Sequence, residues 1–254
     1  MRAVNPFSLE GRVALVTGGN GGLGRGMALA LQAAGARVTI TGRDPGRNAA
    51  VAVELADGNA AVYELNVRDE EAVRHTIAAV VAREGRLDIL INNAGIVDPT
   101  PAIDKDPSEW DAALATDLTA PFHCARHAAA AMIDRGEGGK IINIGSIYSL
   151  LGTPFYAGYG AAKAGLLGLT RALAVEFAPH DIQVNAILPG WFETDMTASM
   201  SSERAERITE RTPAGRWGLP DDLGGAAVFL ASHSSDFITG ASIAVDGGFS
   251  ISAG

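Results

Sequence analysis

The chain has 254 residues and a net charge of −9, and nearly half of its residues are apolar. That composition supports a large buried core and excludes a disordered or fibrous chain. No Lys/Arg run supplies the basic face of a nucleic-acid binder, and no uninterrupted apolar stretch reaches membrane-spanning length.

Short β-branched runs alternate with longer Ala-rich segments. Arg12–Thr17 reads as a strand, Gly22–Ala34 as a helix, and Arg37–Thr41 as a second strand. A helix near Asn48–Ala56, a strand over Ala60–Leu65 and a helix over Asp69–Glu84 follow. Leu87–Ile91 is the fourth strand, with helices near Pro107–Ala115 and Leu118–Asp134 behind it. Lys140–Ile144 is the fifth strand, Ala157–Ala178 a long helix and Gln183–Leu188 the sixth strand. A late helix over Asp221–Ser232 and a last strand over Ser242–Val245 close the series. Each crossover helix must pack back on the sheet, so this α/β alternation predicts a doubly wound, parallel, seven-stranded sheet. No linker or internal period divides the chain, so residues 1–254 are expected to form a single domain. Trp191–Gly218 is the least regular stretch, and a long irregular excursion suggests a lid over a site.

Cys124 is the one cysteine, which rules out an intrachain disulfide and suits a reducing compartment. Its surroundings lack redox-pair spacing, so a buried packing thiol is expected. The N-terminus shows no charged region followed by an apolar one, so the chain is expected to be cytoplasmic.

The first strand runs into Thr17-Gly18-Gly19-Asn20-Gly21-Gly22-Leu23-Gly24, where a helix opens. Five glycines in seven residues let the backbone turn sharply and approach a pyrophosphate, which the helix N-terminus attracts. Gly18, Asn20, Gly22, Leu23 and Gly24 are the expected cofactor contacts. At the end of the second strand, an acid would bind an adenosine ribose and favour NAD. Thr41-Gly42-Arg43-Asp44 stands there instead. Arg43 can grip a 2′-phosphate, which favours NADP over NAD, while Asp44 suits a helix cap.

Tyr159 and Lys163 lie four apart in the long predicted helix and project from one face. A free tyrosine has a pKa near 10 and needs help to exchange protons near neutrality. A nearby lysine cation stabilises the phenolate. Ser146, just past the fifth strand, can hold a substrate oxygen as charge develops on it.

With these residues in this order, the chain resembles the short-chain dehydrogenase/reductase family from about Phe7 to Phe249. The motifs are the Thr17–Gly24 turn, Asn92-Asn93-Ala94-Gly95, Ser146, Tyr159-Gly160-Ala161-Ala162-Lys163, and Pro189-Gly190 followed by Thr194. The resemblance implies a Rossmann fold and reversible oxidation of a secondary alcohol with NADP or NAD. Tyr159 would be the acid/base, Ser146 would position the oxygen, and Lys163 would hold the nicotinamide ribose. Asn93, Ala94 and Gly95 would support the cofactor, and Pro189, Gly190, Phe192 and Thr194 would line the nicotinamide. Where the family has a fourth catalytic asparagine, this chain has Asp117; a carboxylate there would offset the lysine's pull and move the pH optimum upward. Asn66, beside Val67, replaces the usual adenine-facing aspartate and still offers a donor and an acceptor. The family also implies a homotetramer, with the Ala157–Ala178 helix (where Gly165 and Gly168 permit close approach) and the C-terminal segment at interfaces. Pro213–Pro220 and Lys140–Ile144 are most similar to sugar-acid dehydrogenases of the 2-deoxygluconate 3-dehydrogenase and gluconate 5-dehydrogenase type.

Other residues have ordinary explanations. His123 and His127 sit four apart but lack an evident third ligand, so no metal is expected. Asp69-Glu70-Glu71 suits a helix N-terminus. Met196, Met200 and Trp191 suit either substrate contact or lid packing. Arg207, Arg211 and Arg216 are candidates for a sugar carboxylate, the first two reading better as surface charge. The expected partner is a small alcohol or ketone (a sugar acid, a polyol or a cyclic alcohol), with neither nucleic acid nor membrane. Alternatives are a 3-oxoacyl-carrier reductase and a dinucleotide-binding sensor or scaffold with little turnover. A methyltransferase would leave Tyr159 and Lys163 unexplained.

Overall fold

The computed structural model describes residues 5–55 and 60–252. Seven parallel strands form one sheet in the order β3-β2-β1-β4-β5-β6-β7. They are β1 Val13–Thr17, β2 Arg37–Gly42, β3 Ala61–Glu64, β4 Ile89–Asn92, β5 Gly139–Ile144, β6 Ile182–Pro189 and β7 Ser242–Val245. The expected sheet is present, with every predicted strand in place. The order reverses between β1 and β4, which opens a crevice at their C-terminal ends, where ligands collect in such sheets.

Period-two alternation divides β1 between two cores. Ala14 and Val16 face α1 (Gly22–Ala33), α2 (Pro45–Glu54) and a late helix over Gly224–Ala231. Val13 and Leu15 face α3 (Glu70–Glu84) and the two helices over Ala120–Arg135 and Ala157–Phe177. Both faces are covered, so the central strands read as unbroken apolar runs. Burying each Leu or Ile of these clusters stabilises the fold by roughly 1.5–3 kcal/mol. Cys124 packs in the second core, where burial pushes its thiol up to about 12.

At the N-terminal edge of the sheet, Asp88 is fully buried just before β4. Its carboxylate accepts from Val13 N–H at 2.8 Å and from Arg86 Nε at 2.8 Å. Arg12 and Arg135 stand 3.2 and 2.9 Å away. Burial alone would raise this carboxyl, but the bonds from Arg86 and Val13 and the nearby arginine charges outweigh it and hold it below the ordinary aspartate range.

Besides the late helix, which opens as a 3₁₀ turn over Pro220–Leu223 and is α-helical only over Gly224–Ala231, three places differ from the sequence expectation. α2 opens three residues early, because Pro45 sits in its first turn and Asp44 caps it by accepting from Arg47 N–H at 3.0 Å. Its expected end at Ala56 lies outside the described residues. Trp191–Gly218 is not irregular throughout: it carries a helix over Ser202–Arg211. Only Ile208 is buried on that helix, so no apolar stripe announces it in the sequence. The third difference, at Asp117, bears on the site.

Candidate active site

A cavity of about 470 Å³ follows the C-terminal ends of the central strands. It runs from Arg43 and Asn66 past the glycine-rich turn to Ser146, Tyr159 and Lys163, and on to Trp191 and Met200.

The turn is built by close approach. Gly18 adopts a φ of +62°, and a Cβ there would meet Ala94 at 3.0 Å. A Cβ on Gly24 would overlap the Gly18 carbonyl and the Asn93 amide. α1 begins with Gly21 as its cap, no side chain bonds its first amides, and its first turn holds no acid. Those amides are therefore available to an anion. Asn93 ties β4 to the turn, donating from its side-chain nitrogen to the carbonyls of Thr17 and Gly18 at 3.0 Å each. Thr17 Oγ1 in turn accepts from the backbone of Asn93 and Ala94. Asn20 donates to Asn48 at 2.8 Å, fixing the loop against α2.

At one end, exposed Arg43 and Asn66 and buried Val67 line the cleft. Asn66 Oδ1 accepts from Arg68 N–H at 3.2 Å, which leaves its amide nitrogen for a ligand. Sequence reasoning missed Arg47, which lines the cleft beside Arg43 and pairs with Asp195 across it. The clue was present: a residue three past the Asp44 cap lies in the first turn of α2, at the mouth of the crevice.

At the other end, Pro189, Gly190, Phe192 and Thr194 line the wall. The Phe192 ring belongs to the core, seated over Gly218, where a Cβ would lie 2.6 Å from it. Thr194 stands close to the turn, at 3.5 Å from where a Cβ of Gly22 would be.

A helix over Pro107–Leu114, α4, continues through a widened π turn over Ala115–Thr119 into α5, Ala120–Arg135. The sequence suggests two separate helices here; the extra residue of the π turn joins them and turns Asp117 inward. Asp117 is fully buried, with Oδ1 3.2 Å from Lys163 Nζ. Its other oxygen lies 3.4 Å from Ile96 N–H, a long hydrogen bond. Gly95 is required beside it, since a Cβ there would stand 2.6 Å from Oδ1. Burial raises the Asp117 carboxyl above the ordinary aspartate range, only partly offset by Lys163 and Ile96.

Lys163 lies on α6, Ala157–Phe177, which Asn143 anchors by donating to Thr170 at 2.9 Å. Nζ donates to Ile144 carbonyl at 2.9 Å and sits 5.6 Å from the Tyr159 ring centroid. Burial would lower this ammonium, but Asp117 and Tyr159 outweigh it and raise Lys163 above the ordinary lysine range. Ser146 Oγ accepts from Tyr148 N–H at 3.1 Å, so its own proton is left to donate.

The histidines have other company: His123 and His127 stand 3.4 and 3.7 Å from Glu70. Among the described residues, no group of three His, Cys, Asp or Glu side chains is placed to hold a metal ion. Nor is any described helix long and apolar enough to cross a membrane.

Residues 18–250 match the family model described as enoyl-(acyl carrier protein) reductase. A 2-dehydro-3-deoxy-D-gluconate 5-dehydrogenase of Formosa agariphila is 41% identical over 97% of this chain and 95% of its own length. Gluconate 5-dehydrogenase of Gluconobacter oxydans is 39% identical over 97% of each chain. The crystal structure of a gluconate 5-dehydrogenase from Burkholderia cenocepacia, in complex with NADP and tartrate, superimposes with a TM-score of 0.93. It is 39% identical, over 97% of this chain and 98% of that one. The chain belongs to the short-chain dehydrogenase/reductase family and is an NAD(P)-dependent oxidoreductase that interconverts a secondary alcohol and a ketone.

Proposed function

We propose that this enzyme oxidises and reduces a sugar acid at a secondary carbon, using NADP in preference to NAD. The observation that carries the chemistry is the Ser146, Tyr159 and Lys163 group gathered at one end of a cleft whose other end is cationic. The cleft fits a dinucleotide: free α1 amides suit the pyrophosphate, Arg43 and Arg47 suit a 2′-phosphate, and Asn66 and Val67 suit the adenine. Bound there, the nicotinamide would supply or accept the hydride at the reacting carbon.

This chain's residues handle the oxygen and its proton. Tyr159 Oη makes no hydrogen bond to a described residue, so its hydroxyl is available to donate to the ketone oxygen or, as the phenolate, to take the alcohol's proton. Ser146 donates to the same oxygen as charge develops on it. Lys163 steadies the phenolate with its charge, and with Nζ committed to Ile144 and Asp117 it keeps a third N–H for the nicotinamide ribose. Asp117 completes the set as Lys163's counter-ion. The segment 191–218 would act as a lid, closed over the cleft by the Arg47–Asp195 pair.

The sugar-acid reading is supported by the gluconate relatives and by the neighbour that binds NADP and tartrate. The resemblance of the sequence motifs to the family further implies a homotetramer, and the single cysteine suits a reducing compartment such as the cytoplasm. Exposed Val175 on α6 and exposed Phe237 and Ile251 near the C-terminus would then be covered by partner subunits. Steady-state assays with NADPH and NADH on 5-ketogluconate, cyclohexanone and an acetoacetyl thioester test the substrate class. We expect the highest kcat/KM for 5-ketogluconate with NADPH; a preference for the thioester would overturn the reading in favour of an acyl-chain reductase.

A further inference from the structure

Four arginines lie in residues 191–218. Two of the three singled out by sequence are committed to carboxylates within the chain: Arg207 pairs with Glu203 and Arg216 with Asp222. The third, Arg211, lies over the Phe249 ring at 4.3 Å from its centroid. Arg204, on the lid helix α7 (Ser202–Arg211), is different.

No carboxylate among the described residues pairs with Arg204. Its guanidinium stands 6.0 Å from the Tyr156 ring centroid and 5.7 Å from that of Trp191. Its one polar contact with a described residue is a long one, NH2 donating to Tyr156 Oη at 3.4 Å. Tyr156 and Trp191 both line the cleft, and Tyr148 joins them, stacked on Tyr156 at 5.9 Å and edge-on to Trp191 at 6.0 Å. The same Tyr156 ring lies 6.4 Å from Tyr159. One aromatic ring therefore separates the cation from the proposed acid/base. Trp191 Nε1, in the same wall, is buried without a hydrogen-bond partner among the described residues.

Cation–π contact holds a guanidinium in place while leaving most of its in-plane N–H donors uncommitted. Those donors match the two oxygens of a carboxylate; another cation near this wall, Arg211, faces Tyr148 from its seat over Phe249. We infer that Arg204 is the specificity residue that receives the substrate's carboxylate, on a substrate whose carboxyl lies several carbons from the reacting one. This rests on the sugar-acid reading above and supplies the group that would recognise the acid.

The test compares 5-ketogluconate with L-sorbose, the same carbonyl skeleton with a neutral hydroxymethyl in place of the carboxylate. NADPH-dependent reduction is measured for wild type, Arg204→Met and Arg204→Lys. Gluconate affinity is read separately from tryptophan fluorescence of the NADP complex. Loss of charge-assisted hydrogen bonds predicts an Arg204→Met KM for 5-ketogluconate about 10–100-fold higher, with kcat within about twofold. The gluconate Kd should rise in parallel, Arg204→Lys should recover part of both, and the KM for L-sorbose should not move. An equal KM rise on both substrates would reduce Arg204 to a packing role and overturn the inference. If wild type turns over 5-ketogluconate and Arg204→Met does so with the same KM, the inference fails while the sugar-acid reading stands. If wild type reduces only neutral ketones, both fail.

Discussion

Two aspartates, both fully buried, sit at opposite edges of the same sheet and are treated in opposite ways. Asp88, at the N-terminal edge, is surrounded by Arg12, Arg86 and Arg135 and takes a backbone N–H as well. Asp117, at the C-terminal edge, has one lysine at 3.2 Å and one long bond from Ile96. The first carboxyl is held below the ordinary range and the second is pushed above it. A buried charge is tolerated when its hydrogen bonds are complete, and becomes responsive when they are not. The N-terminal edge thus fastens the fold, whereas the C-terminal edge keeps polar groups incompletely paired where chemistry is to occur.

The largest expected effect separates the edges through activity. Tyr159→Phe removes a hydroxyl that bonds no described residue, so the fold should lose little. The same change removes the proposed proton carrier, and kcat should drop by about 100- to 10,000-fold. Thermal denaturation and cofactor titration, run beside the assay, should show a folded, cofactor-binding protein. A variant that keeps more than a tenth of wild-type kcat would break the assignment.

At the other edge the loss should fall on stability. Asp88→Asn leaves three guanidinium groups around a neutral amide, and breaking a buried pair in this way costs about 3–5 kcal/mol. Denaturant unfolding measures it, and kcat of the protein that remains folded should be unchanged. Acid unfolding gives the sign. The Asp88 pKa is depressed in the folded state, so its stabilisation is present above the ordinary aspartate value and is lost as pH falls through the depressed one. Wild type should therefore weaken on acidification below about pH 4 more steeply than Asp88→Asn. Asp117 works the other way: its raised pKa favours the protonated folded state, so its contribution declines as pH rises from the ordinary value to the raised one. Equal acid sensitivity in wild type and Asp88→Asn would remove the contrast.

The sequence showed the catalytic edge far better than the structural one, for a physical reason. Tyr159 and Lys163 are neighbours on one helix, and the glycines of 18–24 form one turn, so local spacing carries their geometry. The central strands were readable because both faces are covered and the runs are strongly apolar, whereas the partly exposed edge strands β3 and β7 carry shorter apolar runs. The Asp88 cluster joins residues 76 positions apart, Arg47 meets Asp195 across 148, and Arg204 meets Tyr156 across 48. Such pairings exist only once the chain has folded, and no local period announces them. The π turn at Asp117 was hidden differently, because one extra residue in a helical turn leaves the composition of the segment unchanged.

The smallest expected effect concerns Asp117 itself. Above its raised pKa, its carboxylate cancels part of the Lys163 charge that Tyr159 faces at 5.6 Å. Asp117→Asn keeps the shape and removes that negative charge. The full lysine field then acts on the proton carrier, so the acid limb of the kcat/KM profile for alcohol oxidation should move to lower pH. Lys163 simultaneously loses the partner that raises it, while burial still opposes its charge, so the alkaline limb should move down too. The whole profile is therefore expected to slide toward acid, with oxidation at neutral pH several-fold faster. An overlaying profile would mean that the Asp117 charge does not reach the proton carrier. A uniform drop at every pH would mean that Asp117 serves to position Lys163 rather than to temper it.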